Sequence, residues 1–185
     1  ILWLLLAVFS VLWFSNLEYR KLIKPDEGRY AEIPREMVET GDWVTPRLNG
    51  LKYFEKPPLQ YWATAVAYEA FGQHQWTSRL WDALTGFAGI LLVWFAGARL
   101  FGREAGVYAA LVLGGSFLYA AMGHVNTLDI GVTFFIMLGI VGLMLAQQEG
   151  ASASARRNWM YVAWIALGLS VLSKGLIGVV LVTLL

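Results

Sequence analysis

The sequence predicts an all-α fold, a polytopic transmembrane helical bundle, on three observations. Hydrophobic residues make up 58% of the 185-residue chain and charged residues only 15%, with apolar stretches near the roughly 20 residues that cross a hydrocarbon core. Most of the charges gather in residues 16 to 79, and the centres of the later apolar runs are nearly free of them. Gly and Ala recur along those runs, which suits close helix approach in lipid, where hydrophobicity itself gives no drive for association.

Residues 1 to 15 read as the first span. A cleaved signal peptide is the competing reading, but no basic segment precedes the apolar run and Ser15-Asn16-Leu17 is a poor cleavage site. The chain opens on Ile and both ends fall in apolar runs, so it is expected to be a piece of a longer protein.

Residues 16 to 79 form the expected long external loop with its own interfacial, juxtamembrane helices. Within KPDEGRYAEIPREMVETGDW, residues 24 to 43, Tyr30, Ile33, Met37 and Val38 fall on one helical face, and Arg29, Glu32, Glu36 and Glu39 on another. Such a helix is expected to lie along the membrane surface, kinked or restarted at Pro34 and stopped at Gly41. Pairs of Arg35 with Glu32 and Glu39 would belong to its solvated face. Residues 58 to 72, PLQYWATAVAYEAFG, are short for a span and carry Gln60, Glu69 and three aromatic rings, so they read as an interfacial helix.

The remaining spans are expected at about 80–98, 104–122, 129–147, 159–173 and 175–185, the last of them cut short. Arg99 and Arg103 flank one tight connection, Arg156 and Arg157 sit in another, and residues 123 to 128 contain neither Lys nor Arg. Placing both Arg pairs in the cytoplasm puts 123–128 outside together with 16–79, provided that 58–72 does not cross.

Composition excludes some chemistry. The chain has no Cys and a formal net charge of +1, which removes thiolate chemistry and Cys-type zinc sites and gives no field for nucleic acid. His74 and His124 are too few and too separated to complete a ligand set by spacing.

Five charged positions stand out at the expected membrane surface. Asp26 follows Pro25 at a helix start, where it is either an N-cap or a carboxylate facing a cavity as general base. Pro57 and Pro58 fix Glu55 and Lys56 just before the next helix; Lys56 is suited to a phosphate, Glu55 to a shared divalent cation, and both also suit a loop ion pair. Asp129 opens a span behind Asn126, the expected N-cap. Lys174 interrupts an apolar run, where it either snorkels or serves a ligand. A transporter or channel is the rival reading, although its charges would be expected nearer the midplane.

With these residues in place, the chain resembles membrane glycosyltransferases of the lipid-phosphosugar-dependent, multi-span superfamily. The resemblance is carried by DEGRYAEIPREM, GDWVTPRLNGLKYFEKPPLQYW, Arg79-Leu80, RLFG, the TLD at 127–129 and the SKG at 173–175. It is closest to the bacterial aminoarabinose transferases that modify lipid A, and looser to protein O-mannosyltransferases. The resemblance implies a bacterial inner-membrane enzyme, with the chain as the N-terminal part of one domain and its active loop facing the periplasm. The donor would be a sugar on a polyprenyl phosphate, and the acceptor a lipid, glycan or protein. Catalytic roles would fall to Asp26, Lys56 and Asp129, and substrate contacts to Glu27, Arg29, Tyr30 and Lys174. Glu55 would ligate a divalent metal ion, and no organic cofactor is implied. Transfer would be inverting, with cations stabilising the departing polyprenyl phosphate.

Overall fold

In the computed structural model, which describes residues 2–184, the regular elements are helices apart from one short hairpin. Helix α1 spans Leu2–Ser15, α2 Asp26–Thr40, α3 Leu59–Phe71, α4 Gln75–Phe101, α5 Arg103–Gly115, α6 Phe117–Met122, α7 Asp129–Ala146, α8 Ala153–Lys174 and α9 Ile177–Thr183. The expected spans at 1–15 and 175–185 begin and end on residues 1 and 185, which lie outside the described residues. Helices α4 and α7 are long and apolar enough to cross a membrane.

The amphipathic pattern of α2 is realised in its packing. Tyr30, Ile33 and Met37 are buried against Tyr61 and Ala65 of α3, and the Gly41 N–H closes the helix on Met37 O at φ 69°. The expected kink or restart at Pro34 does not divide the element, which runs unbroken through it. Buried contacts on both sides, at Ile33 and Met37, hold the two halves together.

The two-stranded hairpin was not foreseen. Strands β1 (Arg47–Leu48) and β2 (Leu51–Lys52) pair antiparallel, joined by Asn49 and Gly50 with φ of 53° and 77°, the positive pair that a type I′ turn requires. Glu36 accepts the Gly50 N–H at 3.0 Å and is only 8% exposed. It therefore leaves the solvated face assigned to it, because the turn amide needs an acceptor.

Three boundaries differ from the sequence expectation. Helix α4 starts at Gln75, where the His74 N–H bonds Thr77 Oγ1 at 2.9 Å. Residues 104–122 form two helices broken at Ser116, which is extended and follows Gly114-Gly115, a poor helix pair. Helix α8 begins at Ala153 because Ser152 Oγ accepts the Ala155 N–H at 3.2 Å, so Arg156 and Arg157 sit in its first two turns rather than in a loop.

Small residues set the helix spacing. A Cβ on Gly97 of α4 would meet Gly106 Cα of α5 at 2.8 Å, and one on Gly142 of α7 would meet Ala163 N of α8 at 3.0 Å. The backbones thus approach as only glycine permits. At one end of this bundle the starts of α4 and α7 meet α2 and α3. At the other, Arg99, Ser152 and Trp159 help line a separate cavity of about 280 Å³.

Candidate active site

The first helix turn of α2 carries two adjacent carboxylates that part company at once. Glu27 turns inward and is 1% exposed. Arg79 Nε donates to its Oε1 at 2.8 Å and Nη2 to its Oε2 at 3.2 Å, while Arg20 Nη1 donates to Oε2 at 2.5 Å. The Ile23 and Asn126 N–H groups donate to it at 2.8 and 2.9 Å. The remaining Arg79 donors reach the carbonyls of Leu17, Arg20 and Lys21. Burial alone would push the Glu27 carboxyl up, but the Arg79 and Arg20 guanidinium groups and the two amides outweigh it and hold the pKa at about 2.

This corrects the reading of Glu27 as a substrate contact, because its lone pairs are already taken by the chain's own donors. Tyr30, expected on the cavity wall, is likewise only 7% exposed and stacks on Tyr61 with ring centroids 6.2 Å apart. Burial, then the neighbouring Tyr53 and Asp26, push its phenol above the ordinary value.

Asp26 points the other way and is exposed. It is the first residue of α2 rather than its cap: Pro25 occupies the cap position and no side chain caps the helix. Asn126 is not the cap of α7 either. Leu128 holds that position, and the buried Asn126 side chain accepts from Gln60 Nε2 at 3.0 Å. Asp26 is therefore free of the capping role that the sequence offered it, while Asp129 keeps its place in the first turn of α7, where its charge suits the helix dipole.

Arg29, Tyr53, Glu55 and Lys56 form a polar rim of their own. Arg29 Nη1 donates to Tyr53 Oη at 3.2 Å, and Tyr53 donates to Glu55 Oε2 at 2.5 Å. Lys56 Nζ lies 3.3 Å from Glu55 Oε1, and Arg29 lies 3.9 Å from Oε2. The Tyr53 hydroxyl, then Lys56, draw the Glu55 carboxyl below its ordinary value.

A cavity of about 460 Å³ opens beside this rim, lined by Phe54, Glu55, Lys56, Pro57, Pro58 and Lys174 among others. Lys174 reaches it from the far end of α8 and pairs with Asp129 at the start of α7. The fold thus brings Lys56 and Lys174, which are distant in sequence, to one cavity, with Asp129 bound to the second. Such a surface fits a phosphate flanked by apolar chain.

The residues present do not build a metal site around Glu55. Both its oxygens already face a phenol or cations, and no three His, Asp or Glu side chains converge among the described residues. A divalent ion there would need ligands from outside this chain segment.

Sequence reasoning missed Arg79 as a structural clamp and Asp82 altogether. Both are at most 1% exposed, and an Arg-x-x-Asp pair at the head of an apolar helix is itself a signal, since such charges are costly near lipid unless partnered.

Comparison with known proteins fits this geometry. Residues 1–185 match the family model for dolichyl-phosphate-mannose-protein mannosyltransferase. The chain is 36% identical over 176 residues to an undecaprenyl phosphate-alpha-4-amino-4-deoxy-L-arabinose arabinosyl transferase of Aeromonas salmonicida, covering 95% of this chain and 32% of the relative. A Pseudomonas aeruginosa protein of that name is 33% identical over 93% of this chain and 31% of its own length. The crystal structure of ArnT from Cupriavidus metallidurans in the apo state superposes with a TM-score of 0.96 at 44% identity, over 99% of this chain and 34% of that one. The same protein bound to undecaprenyl phosphate gives a TM-score of 0.95 at 44% identity, over 97% and 33%. The chain spans about a third of the length of these relatives.

Proposed function

Because the chain belongs to the dolichyl-phosphate-mannose-protein mannosyltransferase family, we propose that it is the N-terminal part of a membrane glycosyltransferase domain that uses a sugar on a polyprenyl phosphate. The observation that carries this reading is the cavity on which Lys56 and Lys174 converge. The undecaprenyl phosphate carried by a solved relative supports it. The names of the curated relatives favour aminoarabinose as the sugar, and we assign lipid A or a similar lipid as the acceptor.

In this reading the protein lies in the bacterial inner membrane, and the end bearing the cavity faces the periplasm. Helix α3 has 13 residues, roughly 20 Å by helical rise, which falls short of a ~30 Å hydrocarbon core. It is assigned with α2 as a juxtamembrane pair between the first span and α4. The connection at 123–128 shares their end, since its Asn126 amide bonds Glu27.

Transfer inverts the anomeric carbon: an acceptor oxygen forms the new C–O bond as the bond to the polyprenyl phosphate breaks with its electron pair. Lys56 and Lys174 neutralise the charge that grows on the leaving phosphate. A hydroxyl acceptor gives its proton to Asp26, and an ionised phosphate acceptor needs no base, leaving Asp26 to orient it. Arg29 stands on the rim behind Lys56, holding Tyr53 and Glu55, and Asp129 fixes the Lys174 ammonium. This mechanism assigns no step to a metal ion.

The test is sugar transfer in washed membranes containing the full-length protein, labelled undecaprenyl phosphate aminoarabinose and lipid A. Labelled lipid A that disappears with Lys56→Ala is the expected result. Failure to transfer label to any lipid, glycan or protein acceptor would overturn the assignment.

A further inference from the structure

The turn that launches Asp129 is gripped by a second buried group that the transfer mechanism leaves unused. Gln60 on α3, Asp82 on α4 and Asn126 in the turn are each at most 1% exposed. Gln60 Nε2 donates to Asp82 Oδ2 at 2.8 Å and to Asn126 Oδ1 at 3.0 Å. The Thr127 N–H points at the other Asp82 oxygen at 3.4 Å.

This bridge joins the two walls of the cavity. Gln60 follows Lys56 by four residues, across the two prolines that stiffen the connection. Asn126 and Thr127 stand immediately before Leu128, the cap position of α7, and Asp129. The Asp129 carboxylate in turn holds Lys174. Hydrogen bonds tolerate little error in length or angle, so they fix register where apolar packing of the same volume would let the turn slide.

We propose that Gln60, Asp82 and Asn126 are positioning residues that set the separation between Lys56 and the Asp129–Lys174 pair. This rests on the transferase reading of the cavity. The three side chains touch neither the cavity nor a reacting atom; they act through the turn. A shift of about 1 Å in such a constellation costs roughly 100-fold in rate.

The test uses the full-length protein with Gln60→Leu, and hydrogen exchange of the 124–128 amides as a readout independent of activity. The bridge predicts at least roughly tenfold faster exchange there, because Asp82, the acceptor of the Thr127 amide, loses the Gln60 donor that fixes it. It also predicts a kcat lower by roughly 10- to 100-fold, with undecaprenyl phosphate affinity within about twofold of the starting protein. A merely structural role would lower affinity and melting temperature together.

A swap then decides whether hydrogen bonding or volume matters. Gln60→Glu alone sets two carboxylates against each other, and Asp82→Asn alone removes the charged acceptor. Combined, the amide at 82 donates to the carboxylate at 60 and still accepts from Thr127. The Asn126 amide turns over to use its Nδ2, which has no partner in the starting protein. Recovery of at least half the starting kcat is expected from the double variant.

Unchanged exchange at 124–128 in Gln60→Leu would overturn the proposal, as would a folded double variant no faster than either single change. If the swap does not fold, the exchange measurement on Gln60→Leu decides alone. Loss of the transferase reading shows separately, as inactivity of the unmodified protein.

Discussion

Asp26 and Glu27 are neighbours in sequence, yet they belong to two regions with opposite uses of charge. Glu27 sits in a dry knot with Arg79 and Arg20, and its oxygens accept from both guanidinium groups and two backbone amides. Asp26 stands exposed, one helical turn before Arg29, whose contact with Glu55, like that of Lys56, is loose. A buried charge stripped of one partner is strongly destabilising, whereas an exposed pair contributes little to stability. The knot therefore holds the fold, and the rim contributes little to it.

The largest expected effect breaks the knot. Arg79→Ala should cost about 3–5 kcal/mol by stripping the buried Glu27 of one of its two guanidinium partners, lowering the melting temperature in detergent and abolishing activity with it. A stable Arg79→Ala protein would erase the contrast between the two regions.

Acid should act on the same point. The Glu27 pKa is lowered from 4.5 to about 2 on folding, so its stabilisation is complete above pH 4.5 and is lost as pH falls from there through about 2. Thermal unfolding followed between pH 6 and pH 3 should show that decline, and Glu27→Gln, less stable at neutral pH, should flatten it.

The rim should respond in the reverse manner. Asp26→Asn should abolish transfer, a loss of at least roughly 100-fold, while the melting temperature stays within about 1 °C. Full activity in that variant would remove Asp26 from the site.

Smaller effects grade the comparison further. Glu36→Ala leaves the Gly50 amide without its acceptor and should cost roughly 1–3 kcal/mol, seen as loosened exchange in the hairpin at 47–52. Arg35→Ala removes only the partly exposed pairs with Glu32 and Glu39 and should change stability by less than about 0.5 kcal/mol.

Much of this was legible before any coordinates. The period of Tyr30, Ile33 and Met37 is enough to define the buried face of α2, because helical repeat and apolar spacing are local properties. Gly41 as a stop and Arg35 with its glutamates follow from the same local rules. The hairpin at 47–52 was legible too, in Asn49-Gly50, but its small span hid it among the charges. What spacing could not separate was Glu27 from Asp26, since both lie in the same first turn of α2 and differ only in which direction they face.

The sequence by itself determined the helical class, the apolar helices α4 and α7, and the charged segment between the first helix and α4. These depend on hydropathy and short-range periodicity, which any stretch of chain carries with it. Tertiary structure alone decided that Lys56 and Lys174 share one cavity, that Glu27 is spent on Arg79, and that Gln60, Asp82 and Asn126 close a buried bridge. Those juxtapositions join residues 22 to 118 positions apart, and their energies depend on burial and on the distance between groups. Neither is defined until the helices have packed.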